Sequence, residues 1–329
     1  MKGLSHFATG VALATFFPAV VHAGAAGSLL PMLGGIGGIL PDTLDFKFAR
    51  YFERYDVEID PGVEPSAEAI ADALVAAMRR AWERGEPQNV MAHTIRLGAD
   101  LWREYAIRFD PQAGAVEVRI GPLVNTGQVP YPGTEPVGAV ARREVGVPLV
   151  HTYSAEYRVN IFSGPSFRFA REGDALHVHF LDWHRRWSHS LTLAAAAGLL
   201  VGVLFGSWAG LVFALGWAGH VLEDQLGYMG SNLFWPFTKR RVPGLGLIHS
   251  GEPIPNTLTV WTALILILAN LDRFSASPQL TGTPFLTVAL GAPWLILGAL
   301  YLRGKLHAAA PVAREAAAQA EVVAEAEED

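Results

Sequence analysis

Residues 191–222 run for 32 positions without an aspartate, glutamate, lysine or arginine. A membrane-spanning helix takes about 20 predominantly apolar residues. The run is therefore too long for one crossing and long enough for two short ones, with Gly206-Ser207 as the natural break. Four more apolar stretches accompany it, at 7–21, 24–40, 257–271 and 284–302, the first two interrupted by Pro18, Pro31 and several glycines. The pattern predicts a mainly α polytopic membrane protein with about six short transmembrane helices. Composition leans the same way, since 17% of residues are charged against about 25% in globular domains.

Lysine and arginine sort to one side of these spans. With the N-terminus inside, Lys2, Arg185, Arg186, Lys239, Arg240, Arg241, Arg303 and Lys305 face the cytoplasm and Arg273 faces away, the asymmetry of the positive-inside rule. The expectation is a multi-pass protein of the inner, cytoplasmic membrane with both termini and the polar middle in the cytoplasm. Residues 1–23 also carry the pattern of a secretory signal, with one lysine, an apolar stretch and a Val-His-Ala end. Its removal would take away His6 and leave the remaining orientation unchanged. The formal net charge is −6, of which residues 311–329 contribute −5. The nearly neutral remainder excludes nucleic-acid binding driven by overall charge. With no cysteine in the chain, disulfides, thiolate metal sites and cysteine nucleophiles are excluded.

Four segments follow: helices one and two in 1–45, a soluble α+β insert in 46–183, helices three to six in 184–305, and an acidic Ala/Glu-rich tail in 306–329, read as a solvated helix or a disordered end. Within the insert, Ser66–Arg84 has helical spacing, with Ile70, Leu74, Ala77 and Trp82 on one stripe. Alternation then predicts strands near 103–109, 115–121, 155–163, 166–171 and 175–181, forming a largely antiparallel sheet. In the last strand His177 and His179 share a face opposite Leu176, Val178 and Phe180. That pair reads as a solvent-side strand face, with metal binding as the alternative. Gly34-Gly35-Ile36-Gly37-Gly38 lies inside an apolar stretch, where close helix packing explains it better than a phosphate loop.

The chemistry concentrates at helix ends. Span two closes in Pro41-Asp42-Thr43-Leu44-Asp45, span three opens with His184-Arg185-Arg186-Trp187-Ser188-His189, span four ends in His220-Val221-Leu222-Glu223-Asp224, and His6 precedes span one. In the six-span topology all of these fall on the cytoplasmic side, although that topology was set by lysine and arginine alone. His220 and Asp224 are four apart, one helical turn on one face. Taken pair by pair these are ordinary headgroup-layer residues; taken together they form a candidate metal set. Asp42, Asp45, His184, His189, His220 and Asp224, with His6, offer nitrogen and oxygen donors suited to zinc, manganese or iron rather than copper(I). They are numerous enough for two ions sharing bridging carboxylates.

These motifs resemble the YdjM-like family of predicted membrane-bound metal-dependent hydrolases. The resemblance rests on His6, Leu40-Pro41-Asp42, His184-Arg185 with Ser188-His189-Ser190-Leu191, and Gly219-His220 with Asp224 followed by Leu233-Phe234-Trp235-Pro236-Phe237. It covers 1–45 and 184–237. Asp45 follows Asp42 at a wider spacing than the family's second aspartate, Ser188 stands where threonine is common, and the 46–183 insert is outside the family pattern. The histidine and acid arrangement is also similar, more distantly, to zinc-dependent phospholipases C.

The expected function is metal-assisted hydrolysis at the membrane surface. Asp42, His184, His189, His220, Asp224 and His6 are the candidate ligands, and the ion lowers the pKa of bound water. Glu223 or Asp45 accepts a proton, and Arg185 and Arg186 hold an anionic phosphate. The expected partner is membrane lipid, with a headgroup phosphoester as substrate. The alternative is a non-enzymatic multispan scaffold that presents the insert to a protein partner. A metal-independent lipid phosphatase of the vanadium-chloroperoxidase type needs Lys…Arg-Pro and Pro-Ser-Gly-His segments, and neither is present.

Overall fold

The structure is a computed structural model that describes residues 2–126, 129–151, 154–161, 164–181, 183–280 and 282–327, leaving aside the side chains of 49, 50, 52 and 307–327. The chain divides into two compact units, one made of 1–44 with 185–329 and the other of 45–184. It opens with α1 (Gly3–Thr15) and α2 (Pro18–Ala25), which meet at a bend of 102°. Pro18 sits at the start of α2, a position where its missing N–H costs nothing. Next comes α3 (Leu30–Phe52), which runs through Pro41 and carries the Pro-Asp segment inside a helix.

The middle unit contains β1 (Val57–Ile59), α4 (Ala67–Arg84), β2 (Gln88–Ala92), β3 (Ile95–Gly98), β4 (Leu101–Asp110), β5 (Ala115–Val124), β6 (Val140–Glu144), β7 (Leu149–His151), β8 (Glu156–Val159), β9 (Ser166–Glu172) and β10 (Ala175–Phe180). The helix expected over Ser66–Arg84 is α4. The Ser66 hydroxyl accepts the Ala69 N–H at its start, and Gly85 takes φ +67° at its end, the usual pair of helix punctuation marks. Ile70, Leu74 and Met78 are buried on one face. The strands expected at 103–109, 115–121, 166–171 and 175–181 correspond to β4, β5, β9 and β10. The one expected at 155–163 is β8, and residues 162 and 163 lie outside the described residues.

The sheet is not single. One sheet runs β1-β2-β9-β10-β7, and a second runs β3-β4-β5-β6 with β8 also on β4. Two pairs, β1 with β2 and β10 with β7, are parallel. The five strands that alternation did not single out are short, at three to five residues each, and give too few alternations to read. The core joins α4 to both sheets through Phe109, Phe167, Phe169, Ile107 and Leu176. Phe109 meets Phe167 edge-on at 5.3 Å, a favoured aromatic geometry. The Tyr105 hydroxyl donates to the His93 carbonyl at 2.7 Å, and burial pushes its phenol above the ordinary range.

The chain then forms α5 (Leu191–Phe205), α6 (Ser207–Asp224), α7 (Pro253–Arg273) and α8 (Gly282–Glu327). Gly206, at φ +96°, ends α5 and starts α6, so the break in the uncharged run falls where glycine permits it. The glycine-rich stretch of α3 is a packing surface. A Cβ on Gly34 would overlap the Gly10 carbonyl of α1, one on Gly37 the Phe213 carbonyl of α6, and one on Gly38 the His6 carbonyl of α1.

The six-span expectation is corrected here. Among the described residues two helices are long and apolar enough to cross a membrane, Pro253–Arg273 and Gly282–Leu306, and the bent α1–α2 pair makes a third if taken as one span. Counting apolar positions overestimated the spans because length and polarity act per helix. At 15 residues, α5 is only about 22 Å long, short of the roughly 30 Å hydrocarbon core. Three polar residues, His220, Glu223 and Asp224, end α6. The second half of α3 carries Asp42, Asp45 and Lys47. The strands of the middle unit, ten among the described residues, also make the chain more than a mainly α protein. On α5, Leu199, Leu200, Val203, Leu204 and Phe205 are exposed, as are Val288, Leu295 and Ile296 on α8. Apolar surfaces of this kind mark contact with lipid or protein.

Candidate metal centre

Three elements of the first unit bring their polar residues together. Asp42 lies on α3, His220 and Asp224 lie one turn apart on α6, and His189 immediately precedes Ser190, the N-cap of α5. The Ser190 hydroxyl accepts the Leu193 N–H and donates to the Trp235 carbonyl at 2.8 Å. The segment after α6 thus pins the start of α5, and with it His189.

One donor atom from each of Asp42, His189, His220 and Asp224 lies within a 4.8 Å cluster. His189 Nε2 is 3.0 Å from His220 Nε2, 3.2 Å from Asp224 Oδ2 and 3.3 Å from Asp42 Oδ1. His220 Nε2 is 3.4 Å from Asp224 Oδ2 and 3.6 Å from Asp42 Oδ1. A tetrahedral ion with ligands at about 2.0–2.1 Å has edges of roughly 3.3–3.4 Å, so these five separations fit a single cation. His189 and His220 are fully buried and Asp224 nearly so.

The ligand rings are held from behind. His220 Nδ1 donates to the Gly38 carbonyl at 2.6 Å; a carbonyl only accepts, so neutral His220 presents a bare Nε2 to the cluster. His189 Nδ1 pairs with the Ser188 hydroxyl at 2.8 Å, and the Ser188 carbonyl accepts the Trp217 indole N–H. Partners of this kind fix the ring orientation of metal-binding histidines. Bare His220 Nε2 and the carboxylate oxygens of Asp42 and Asp224 turn acceptors toward one another, and a cation resolves that arrangement.

The other expected residues make contacts of their own. His6 is buried beside this cluster, its ring centroid 3.8 Å from that of His220. Its Nδ1 is 2.7 Å from Glu223 Oε2, and its Nε2 lies 3.5 Å from Asp224 Oδ1 without a hydrogen-bond partner. Thr9, one turn on from His6 along α1, donates to Glu223 Oε1. Arg185, expected to hold a phosphate, is instead buried with Nη2 at 2.9 Å from Asp224 Oδ1. Arg186 is exposed. In the middle unit, His184 Nδ1 and Asp45 Oδ2 pair at 2.8 Å, both side chains nearly inaccessible. On that unit's surface, His179 and His177 lie 2.8 and 3.5 Å from the Glu172 carboxylate.

The sequence reading missed Thr9, Gly38 and Ser188 as supporting groups. The signal for Thr9 was its three-residue spacing from His6 on a helix. A carbonyl partner such as that of Gly38 leaves no trace in residue type.

Among the described residues, two helices are long and apolar enough to cross a membrane, and a largely buried two-histidine, two-aspartate cluster is a candidate metal centre. Residues 156–304 match the family model described as YdjM inner membrane protein. That segment contains His189, His220 and Asp224. It begins inside the middle unit, so part of the insert lies within the match, while His6 and Asp42 lie outside it. Comparison with curated proteins and with solved structures gives no match.

Proposed function

We propose that this chain is an inner-membrane, divalent-metal-dependent hydrolase that cleaves a phosphoester, such as that of a lipid headgroup, at the cytoplasmic membrane surface. The convergence of His189, His220, Asp42 and Asp224 carries the reading, because their separations suit one cation and Gly38 holds His220 in the ligating tautomer. Zinc is the first candidate on donor type, with manganese and iron as alternatives. A bound ion of this kind supplies Lewis acidity and an activated water at neutral pH.

The chain's own groups divide the remaining work. Glu223 is held by Thr9 and by His6 Nδ1 and keeps 14% of its side chain accessible, so its carboxylate can take up a proton released from water and share it with His6. Exposed Arg186 offers a guanidinium to the phosphate anion. Burial of His189 and His220 excludes bulk water from the ligand side.

The test is a panel of phospholipids and simple phosphodiesters offered to purified protein in nanodiscs, loaded with zinc, manganese or iron. Turnover that a chelator abolishes and His220→Ala lacks supports the proposal. A metal-loaded protein that turns over none of the panel refutes hydrolysis and favours the scaffold alternative.

A further inference from the structure

Arg185 has two unusual features. Its backbone sits at φ +61°, a left-handed conformation that is strained for a residue with a Cβ. Its side chain is buried, and the guanidinium meets Asp224 at two points: Nη2 is 2.9 Å from Asp224 Oδ1, and Nη1 donates to the Asp224 main-chain carbonyl at 3.2 Å. The strained backbone is itself held, since the Asn232 N–H donates to the Arg185 carbonyl at 3.1 Å. Asn232 belongs to the segment that also pins α5 through Trp235.

We infer that Arg185 is a positioning residue for the metal ligand Asp224, rather than a substrate-binding residue. The inference rests on the metal-centre reading above. By tying Oδ1 and the main-chain carbonyl of one residue, the guanidinium restricts rotation of the carboxylate. Oδ2 is then left facing His189 and His220, at 3.2 and 3.4 Å. A lysine at 185 keeps the charge but presents a point donor instead of a planar fork. Charge and orientation act in opposite directions. A neighbouring cation repels a metal ion, so charge removal alone tightens binding, whereas loss of orientation loosens it.

Cobalt(II) titration of full-length detergent-purified protein separates the two effects, because its visible spectrum reports coordination geometry. Wild type is expected to give the intense absorption of a four-coordinate site. Arg185→Gln should bind cobalt about 10–100-fold more weakly, the usual cost of losing a group that orients a ligand, with an altered spectrum. Arg185→Lys should recover part of the affinity. Thermal melts in chelator check that each metal-free variant is folded, and a variant that fails this check is replaced by Asn232→Ala. This change keeps the main-chain N–H but removes the side-chain bonds to Thr238 that hold residue 232 in place, so that the Arg185 carbonyl is held less firmly and cobalt binding should weaken as well. Arg185→Gln that binds with wild-type affinity and spectrum, or more tightly, overturns the positioning role and leaves the metal centre standing. A wild-type protein that binds no cobalt overturns both.

Discussion

The tightest link between packing and chemistry in this chain runs through Gly38, and Gly38→Ala tests it. A Cβ there would overlap the His6 carbonyl on α1, a backbone atom that cannot rotate away. Restoring an ordinary contact requires α1 and α3 to separate by about 1 Å, and overpacking of this kind costs about 1–3 kcal/mol. The same residue's carbonyl accepts His220 Nδ1–H, so the shift also disturbs the group that fixes the His220 ring. Loss of such a partner weakens metal binding about 10–100-fold, or about 1.4–2.7 kcal/mol. Gly3→Ala is the control: Gly3 opens α1 with nothing within 4 Å of its added Cβ, and alanine should be neutral or slightly stabilising there. The assay is isothermal titration with zinc, run beside thermal melts of the metal-free protein. The account expects Gly38→Ala to lose both affinity and melting temperature while Gly3→Ala loses neither. Wild-type affinity in Gly38→Ala would refute the argument that helix packing positions His220.

Three further outcomes follow from the packing. Ser190→Ala removes the cap of α5 and the bond to the Trp235 carbonyl, and should cost about 1 kcal/mol; an unchanged melting temperature contradicts the cap's role. Phe109→Ala empties the middle unit's core and should destabilise it by about 3–5 kcal/mol, measurable by denaturant-induced loss of near-ultraviolet circular dichroism. Burial raises the folded-state pKa of Tyr105 above its unfolded value. Its contribution to stability is therefore present below about pH 10 and lost as pH rises beyond that. Tyr105→Phe should melt with a flatter alkaline branch than wild type, and identical branches would show that Tyr105 does not set it.

Much of the local structure was legible. Ser66, the Ile70–Leu74 stripe and Gly85 define α4 almost to the residue, because cap, apolar period and stop agree. Gly206 marks the α5–α6 break for the same reason. The glycines of α3 read as a packing face, and backbone-to-backbone approaches at Gly34, Gly37 and Gly38 explain them. The span count failed because an uncharged run records composition, whereas crossing a bilayer requires each helix to be long enough by itself. The candidate ligands were found by residue type and position, through an argument about membrane sides that relied on six spans. Their grouping rests instead on the packing of α3, α6 and the start of α5, with α1 bringing His6 beside them. Arg185 read as a phosphate ligand because sequence shows a charge without showing that Asp224 is its neighbour.

The central claim is that Asp42, His189, His220 and Asp224 form a metal centre, and metal content tests it most directly. Inductively coupled plasma mass spectrometry on detergent-purified protein should find near-stoichiometric zinc, manganese or iron in wild type. His220→Ala and Asp224→Ala should lose it, and His177→Ala/His179→Ala, which alters only the half-buried pair on β10, should keep it. Wild-type protein that stays metal-free after supplementation with all three metals would contradict the claim.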